Sequence, residues 1–125
     1  DLLILALALT EETKGIIDRK ALDLMPSHSH IVNVARGAHI VTGDLIEALK
    51  EGKIAGAALD VTDPEPPALD SELRQLDNVV ITPHIAGCIE NCNRMGELAV
   101  EEVRRHIAGE PAVYEIRSDM LDRIA

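Results

Sequence analysis

The chain has 125 residues, enough for one compact domain, and its 22 acidic against 12 basic side chains give a formal net charge of −10. That balance argues against a nucleic-acid partner, because phosphate contacts need a basic footprint and the lysines and arginines here form no stripe. With no Trp, no Phe and one Tyr, the core must be built from Leu, Ile, Val, Ala and Met.

The chain enters its first element directly from Asp1, with no Met and no lead-in, and is expected to be part of a longer protein. Leu2–Leu9 is a continuous apolar run, the pattern of a strand buried on both faces. It is too short to span a bilayer, and it lacks the basic start and cleavage pattern of a signal peptide. Thr10 suits the cap of a short turn through Glu11 and Glu12. Asp18 can cap a helix carrying Ala21, Leu22, Leu24 and Met25, which Pro26 stops. His30–Ala35 reads as the second strand. Thr42 or Asp44 opens a helix with Leu45, Ile46, Ala48 and Leu49 on one face, and Gly52 is placed to end it.

Ile54–Val61 reads as the third strand. Asp63-Pro64-Glu65-Pro66-Pro67 is a stiff loop, since its prolines suit neither helix nor strand interior. Asp70 or Ser71 can cap a short helix to Leu76, before a fourth strand at Asn78–Thr82. Ile89, Cys92, Met95, Leu98, Ala99, Val103 and Ile107 recur at helical spacing and predict one long amphipathic helix ending near Gly109-Glu110-Pro111. Strands alternating with helices imply right-handed crossovers and a parallel sheet. The glycines form neither G-x-G-x-x-G nor a phosphate loop, so if the fold binds a dinucleotide, the half that grips pyrophosphate is not in this chain.

Three reactive side chains, Arg36, Glu65 and His84, follow the second, third and fourth strands. In an open parallel sheet, ligands bind outside the carboxyl ends of the strands. A cation, a carboxylate and an imidazole are thereby expected at one rim, a set suited to redox or proton-transfer chemistry on an anionic substrate. Arg36, in Asn33-Val34-Ala35-Arg36-Gly37, offers a planar fork that matches a carboxylate; taken alone, this segment reads more readily as a surface ion-pair arginine at a strand end. Gly37 would let the backbone turn sharply or approach a ligand. Glu65 is fenced by Pro64 and Pro66, with Asp63 an alternative for the same role. His84 can give and take a proton near neutrality, and a neighbouring carboxylate would stabilise its charged form. His28, His30 and His39 raise a metal reading, but no acidic or Cys ligand sits at metal-site spacing nearby. Cys88 and Cys92 suit half-buried packing in the long helix rather than a disulfide, and fit a reducing cytosol.

Together these segments resemble the C-terminal half of the nucleotide-binding domain of the D-isomer-specific 2-hydroxyacid dehydrogenases. The likeness runs from Leu2 to about Pro111 and rests on five stretches in order: 9–15 (Leu-Thr-Glu-Glu-Thr-Lys-Gly), 33–37, 56–61 (Gly-Ala-Ala-Leu-Asp-Val), Glu65-Pro66, and 78–87 (Asn-Val-Val-Ile-Thr-Pro-His-Ile-Ala-Gly). The resemblance implies a Rossmann-type α/β parallel sheet with flanking helices over residues 1–111, and a tail at 112–125 returning to a substrate domain. It implies NAD or NADP as cofactor and hydride transfer to or from a small 2-hydroxy or 2-keto acid, in a cytoplasmic homodimer. Arg36 would bind the substrate carboxylate and polarise the keto group, His84 would be the acid/base, and Glu65 would orient and charge it. Asp60 would lie near the nicotinamide carboxamide. Val34, Ala35 and Arg36, with His84, Ala86 and Gly87, would line the nicotinamide side, and Leu7 and Thr13 the adenosine end. Ala6 and Ala8 depart from the family, where many members have His and Pro. A dinucleotide-sensing scaffold of the co-repressor kind and a purely structural α/β module are the competing expectations.

Overall fold

Each short apolar run forms a strand, and the computed structural model, which describes residues 1–87 and 92–121, lines them up in chain order. β1 (Leu2–Leu5), β2 (His30–Asn33), β3 (Gly56–Leu59) and β4 (Val79–Ile81) are parallel throughout, in the order β1-β2-β3-β4. Leu3 lies beside Ile31, Ile31 beside Ala57, and Ala57 beside Val79. This register brings the carboxyl ends of all strands to one edge. The architecture is the Rossmann-like α/β sheet expected.

Between the strands run α1 (Arg19–Asp23) and α2 (Thr42–Lys50). Asp18 caps α1 as its position suggests, its carboxylate accepting the Ala21 N–H at 2.9 Å. Gly52 ends α2 with φ +65°, a conformation that costs glycine little. Neither Thr42 nor Asp44 caps α2: Val41 holds the cap position without a side-chain bond. Both are spent on tertiary contacts instead. The Thr42 hydroxyl donates to the Asp63 carbonyl at 2.9 Å, and the Asp44 carboxylate accepts the Arg19 N–H at 2.7 Å, tying α1 to α2. The helix expected before β4 is a single 3₁₀ turn, Glu72–Gln75, also without a side-chain cap.

Leu22 of α1 and Leu45, Ala48 and Leu49 of α2 pack with Ile31, Ala57, Leu59 and Ile54 as one buried core on one face of the sheet. The other face is open. Leu2 is 61% exposed, Ile4 56% and Val80 62%. The first strand is therefore not buried on both faces, because both helices cover the same side, and it ends at Leu5 rather than Leu9. α3 (Cys92–Ala108) forms where the helical spacing predicts, but Met95, Val103 and Ile107 on it are exposed. Cys88 and Ile89 lie outside the described residues, as does the side chain of Cys92. The segment after Pro111 is exposed through Asp119, and the Val113 N–H bonds the Glu102 carboxylate at 3.1 Å. No helix among the described residues is long and apolar enough to cross a membrane.

The tightest approach in the fold is at Gly37, where a Cβ would fall 2.0 Å from the Thr62 carbonyl carbon and oxygen. Glycine is needed here for backbone contact between the loops after β2 and β3. Gly37→Ala should cost about 1–3 kcal/mol or more, since backbone cannot yield as a side chain can. Urea denaturation of the folded parent protein and the variant should show a lower midpoint at unchanged slope.

Candidate active site

The loop that carries His84 is built by one buried carboxylate. Asp60, just past β3 and 6% exposed, accepts the Thr82 hydroxyl at 2.5 Å and the Ile85 N–H at 2.9 Å on Oδ1, and the Ala86 N–H at 2.9 Å on Oδ2. Its own carbonyl accepts the His84 N–H at 2.9 Å. Burial alone would push the Asp60 carboxyl up. The hydrogen bonds from Thr82, Ala86 and Ile85 outweigh burial and, with the nearby His84, hold it below the ordinary carboxylate range. Residues 82–86 are thus bent around a carboxylate, and His84 takes φ +55°, a left-handed conformation uncommon for a residue with a Cβ.

From that bend the imidazole reaches Glu65. His84 Nδ1 lies 2.7 Å from Glu65 Oε1, with both side chains half exposed. Glu65 Oε2 also accepts the Thr62 N–H at 3.4 Å. The proline loop under Glu65 is pinned at several points. Thr42 holds the Asp63 carbonyl, the Thr62 hydroxyl donates to the Pro64 carbonyl at 2.8 Å, and the Arg74 guanidinium donates to the carbonyls of Pro67 (2.9 Å) and Ala68 (3.0 Å). Asp63, the alternative partner for the imidazole, contributes its carbonyl to the loop, and Glu65 is the carboxylate that meets His84. With Nδ1 engaged, Nε2 is the ring atom left for a ligand. Asp60, Glu65, Thr82, His84 and Arg74 help line a cavity of about 490 Å³.

Arg36 reaches the same edge but not that cavity. Asn33 ends β2 by turning its own side chain onto the following backbone: Oδ1 accepts the Ala35 N–H at 3.0 Å, and Nδ2 donates to the Arg36 carbonyl at 2.9 Å. This is why the second strand stops at Asn33 rather than Ala35. The Arg36 side chain is exposed and folds back, its Nη1 donating to the Ala35 carbonyl at 2.7 Å. Val34, Asp60 and Ala86, three of the residues expected near a nicotinamide, share a second cavity of about 120 Å³ with Val32, Ala58 and Thr82. Ala35 is buried and Gly87 exposed. Leu7 and Thr13 stand apart in the loop after β1, Leu7 packed against the core and the Thr13 hydroxyl donating to the Ala8 carbonyl at 2.8 Å.

Sequence reasoning missed Asn33 and Thr82 as shapers of the site. An Asn at the end of an apolar run is a recognised side-chain turn signal, whereas nothing local marks Thr82, whose partner is far along the chain. The three histidines of the metal reading are dispersed. His28 pairs with Asp1 at 3.5 Å, His30 begins β2, and His39 is fully buried past its far end; among the described residues no group of three potential ligands forms.

Residues 1–86 match the family model described as D-isomer specific 2-hydroxyacid dehydrogenase, NAD binding domain. The chain belongs to this family. It is 41% identical over 110 residues to glyoxylate/hydroxypyruvate reductase A of Arabidopsis thaliana, covering 87% of this chain and 35% of that one. It is 46% identical over 111 residues to glyoxylate reductase of Pyrococcus furiosus, covering 88% and 33%. A D-isomer specific 2-hydroxyacid dehydrogenase from Xanthobacter autotrophicus Py2, solved in complex with NADPH and MES, superposes with TM-score 0.80 at 37% identity over 93% of this chain and 48% of that one. The NAD-complexed form of the enzyme from Lactobacillus delbrueckii ssp. bulgaricus superposes with TM-score 0.84 at 31% identity over 94% and 40%. The chain spans about a third of the length of these reductases.

Two outcomes test the geometry around His84. The stability contributed by Asp60 should be fully present above pH 3.8, its ordinary value, and fade as pH falls through its lower folded value. In the full-length protein, the stability gap between parent and Asp60→Asn should be constant from neutrality to about pH 4 and shrink below it, as read by denaturant titration at stepped pH. At His84 itself, glycine should fold better than alanine. His84→Gly should exceed His84→Ala by about 1 kcal/mol in the same assay, the cost of a left-handed residue with a Cβ.

Proposed function

We propose that this chain is the catalytic part of an oxidoreductase that moves a hydride between NAD or NADP and a small 2-hydroxy acid or its 2-keto acid. The observation that carries the reading is the 2.7 Å contact between His84 Nδ1 and Glu65 at the carboxyl edge of the parallel sheet. A carboxylate on Nδ1 fixes the orientation of the ring, leaving Nε2 to donate a proton to the forming alkoxide and to recover it in the reverse direction. Arg36 binds the substrate carboxylate. Its guanidinium must swing from the Ala35 carbonyl to do so, which exchanges one hydrogen bond for a bidentate pair.

Val34, Asp60 and Ala86 are the residues that would hold the nicotinamide end. Their cavity, walled by Val32, Ala58 and Val80, is small and apolar with a carboxylate at its margin, which suits a flat heteroaromatic ring with a polar substituent. Leu7 and Thr13 would approach the adenosine end. When bound, the cofactor supplies or takes the hydride; the chain supplies orientation, charge and the proton. The NADPH, NADP and NAD complexes of structural neighbours support either cofactor. Residues 1–111 are read as the dinucleotide-binding part and 112–125 as the return to a substrate domain, in a cytoplasmic homodimer.

Steady-state kinetics of the full-length protein with glyoxylate, hydroxypyruvate and pyruvate test the reading. His84→Ala should depress both directions by about 10²–10⁴-fold, the usual worth of a positioned acid/base. Glu65→Gln should lower kcat more than it raises KM. Arg36→Lys should raise KM and lower kcat together, since lysine keeps the charge but not the fork. Cofactor binding without turnover of any such acid would instead favour a dinucleotide-sensing scaffold.

A further inference from the structure

Among the side chains the proposed chemistry leaves unused, His39 is the most constrained. Its imidazole is fully buried, yet all its polar contacts go to backbone of two loops that meet nowhere in sequence. Nδ1 lies 3.3 Å from the Arg36 nitrogen, and Nε2 lies 3.2 Å from the Ala8 carbonyl. The Arg36 carbonyl, 3.0 Å from Nδ1, already accepts the Asn33 amide at 2.9 Å and the His39 backbone N–H at 3.2 Å. Nδ1 is thus left to accept the Arg36 N–H, and Nε2 carries the hydrogen that goes to Ala8; this tautomer is assigned from the network. The Ala8 carbonyl also takes the Thr13 hydroxyl, so His39 joins the turn bearing Arg36 to the loop bearing Thr13. Backbone bonds run alongside, from Gly15 N–H to the Ala38 carbonyl (2.8 Å) and from Ile17 N–H to the His39 carbonyl (3.0 Å).

We infer that His39 is a positioning residue that fixes the Arg36 turn against the loop after β1, and thereby sets affinity for the substrate carboxylate. This rests on the reading of Arg36 as the carboxylate anchor. The physical reason is that a guanidinium anchor is only as well placed as its own backbone. The Arg36 side chain is exposed and bonds the adjacent Ala35 carbonyl, so its fixed point is the peptide held by Asn33 on one side and His39 on the other. A hydrophobic residue at 39 would fill the space, leave the Arg36 N–H without its acceptor and leave the Ala8 carbonyl to the Thr13 hydroxyl, loosening the turn without touching substrate.

The test uses the full-length protein with three substitutions. His39→Leu removes both polar contacts. His39→Asn keeps an acceptor where Nδ1 stands, and His39→Gln keeps a donor where Nε2 stands. His39→Leu should raise the keto-acid KM about tenfold, the worth of one lost buried hydrogen bond, with kcat within threefold of the parent. His39→Asn should restore KM to within threefold, and His39→Gln should not. Hydrogen exchange of the 33–38 segment should follow the same order, faster in Leu and Gln than in Asn and the parent. If the Leu variant does not fold, the contrast between Asn and Gln decides. Equal KM and equal exchange in Asn and Gln would overturn the inference, as would a folded Leu variant with parental KM. If Arg36→Lys itself leaves KM unchanged, the fault lies in the reading of Arg36, and the exchange rates still report whether His39 holds the turn.

Discussion

A buried carboxylate with both oxygens hydrogen-bonded shapes the edge of this protein that carries His84. Asp60 accepts a hydroxyl and two backbone N–H groups from the segment after β4, and its carbonyl takes a third N–H from the same segment. A charge taken out of water at this cost is tolerable only when hydrogen bonds replace the lost solvation. The consequence is mechanical. The chain from Thr82 to Ala86 wraps around a point fixed at the end of the neighbouring strand, and His84 is forced to φ +55°. That forced bend aims the imidazole at Glu65, so a short strand and a rigid loop meet within hydrogen-bond distance. Asp60 also borders both cavities, which places the His84 side and the apolar side of the site on a common support.

The same device recurs one strand over. Asn33, fully buried, closes the turn after β2 with its amide, and His39 ties that turn to the loop after β1. Gly37 then lets the turn press against Thr62, which leads into the proline loop. Each strand end is therefore coupled to the next by a buried polar side chain or a backbone contact. Such coupling suits a site whose groups come from three different loops, because loops by themselves hold side chains less precisely than the sheet does.

The open face of the sheet and the exposed apolar residues of α3 belong to one picture. A doubly wound sheet buries both faces, and here helices cover one. The chain's coverage of about a third of its relatives is consistent with that one-sided burial. The apolar run Leu2–Leu9 reads as a strand buried on both sides, whereas among the described residues helices cover only one face of β1.

From the residues alone one could read the number of the strands, their parallel direction, the Asp18 cap, the Gly52 stop and the stiffness of the proline loop. All of these follow from local chemistry: apolar period, capping side chains, a positive-φ glycine and pyrrolidine rings. The placement of Arg36, Glu65 and His84 past successive strands was legible too, since parallel strands bring their carboxyl ends together whatever the loops do. Tertiary structure alone decided which carboxylate meets the imidazole, that Asp60 is spent on the His84 loop, that Thr42 and Asp44 bind across loops rather than cap α2, and that Arg36 rests on its own backbone outside the His84 cavity. Apart from Arg36, whose partner is the adjacent Ala35 carbonyl, those outcomes depend on contacts between residues some twenty positions apart, as in Asp60 with Thr82 and Glu65 with His84, whose geometry exists only once the sheet register is set.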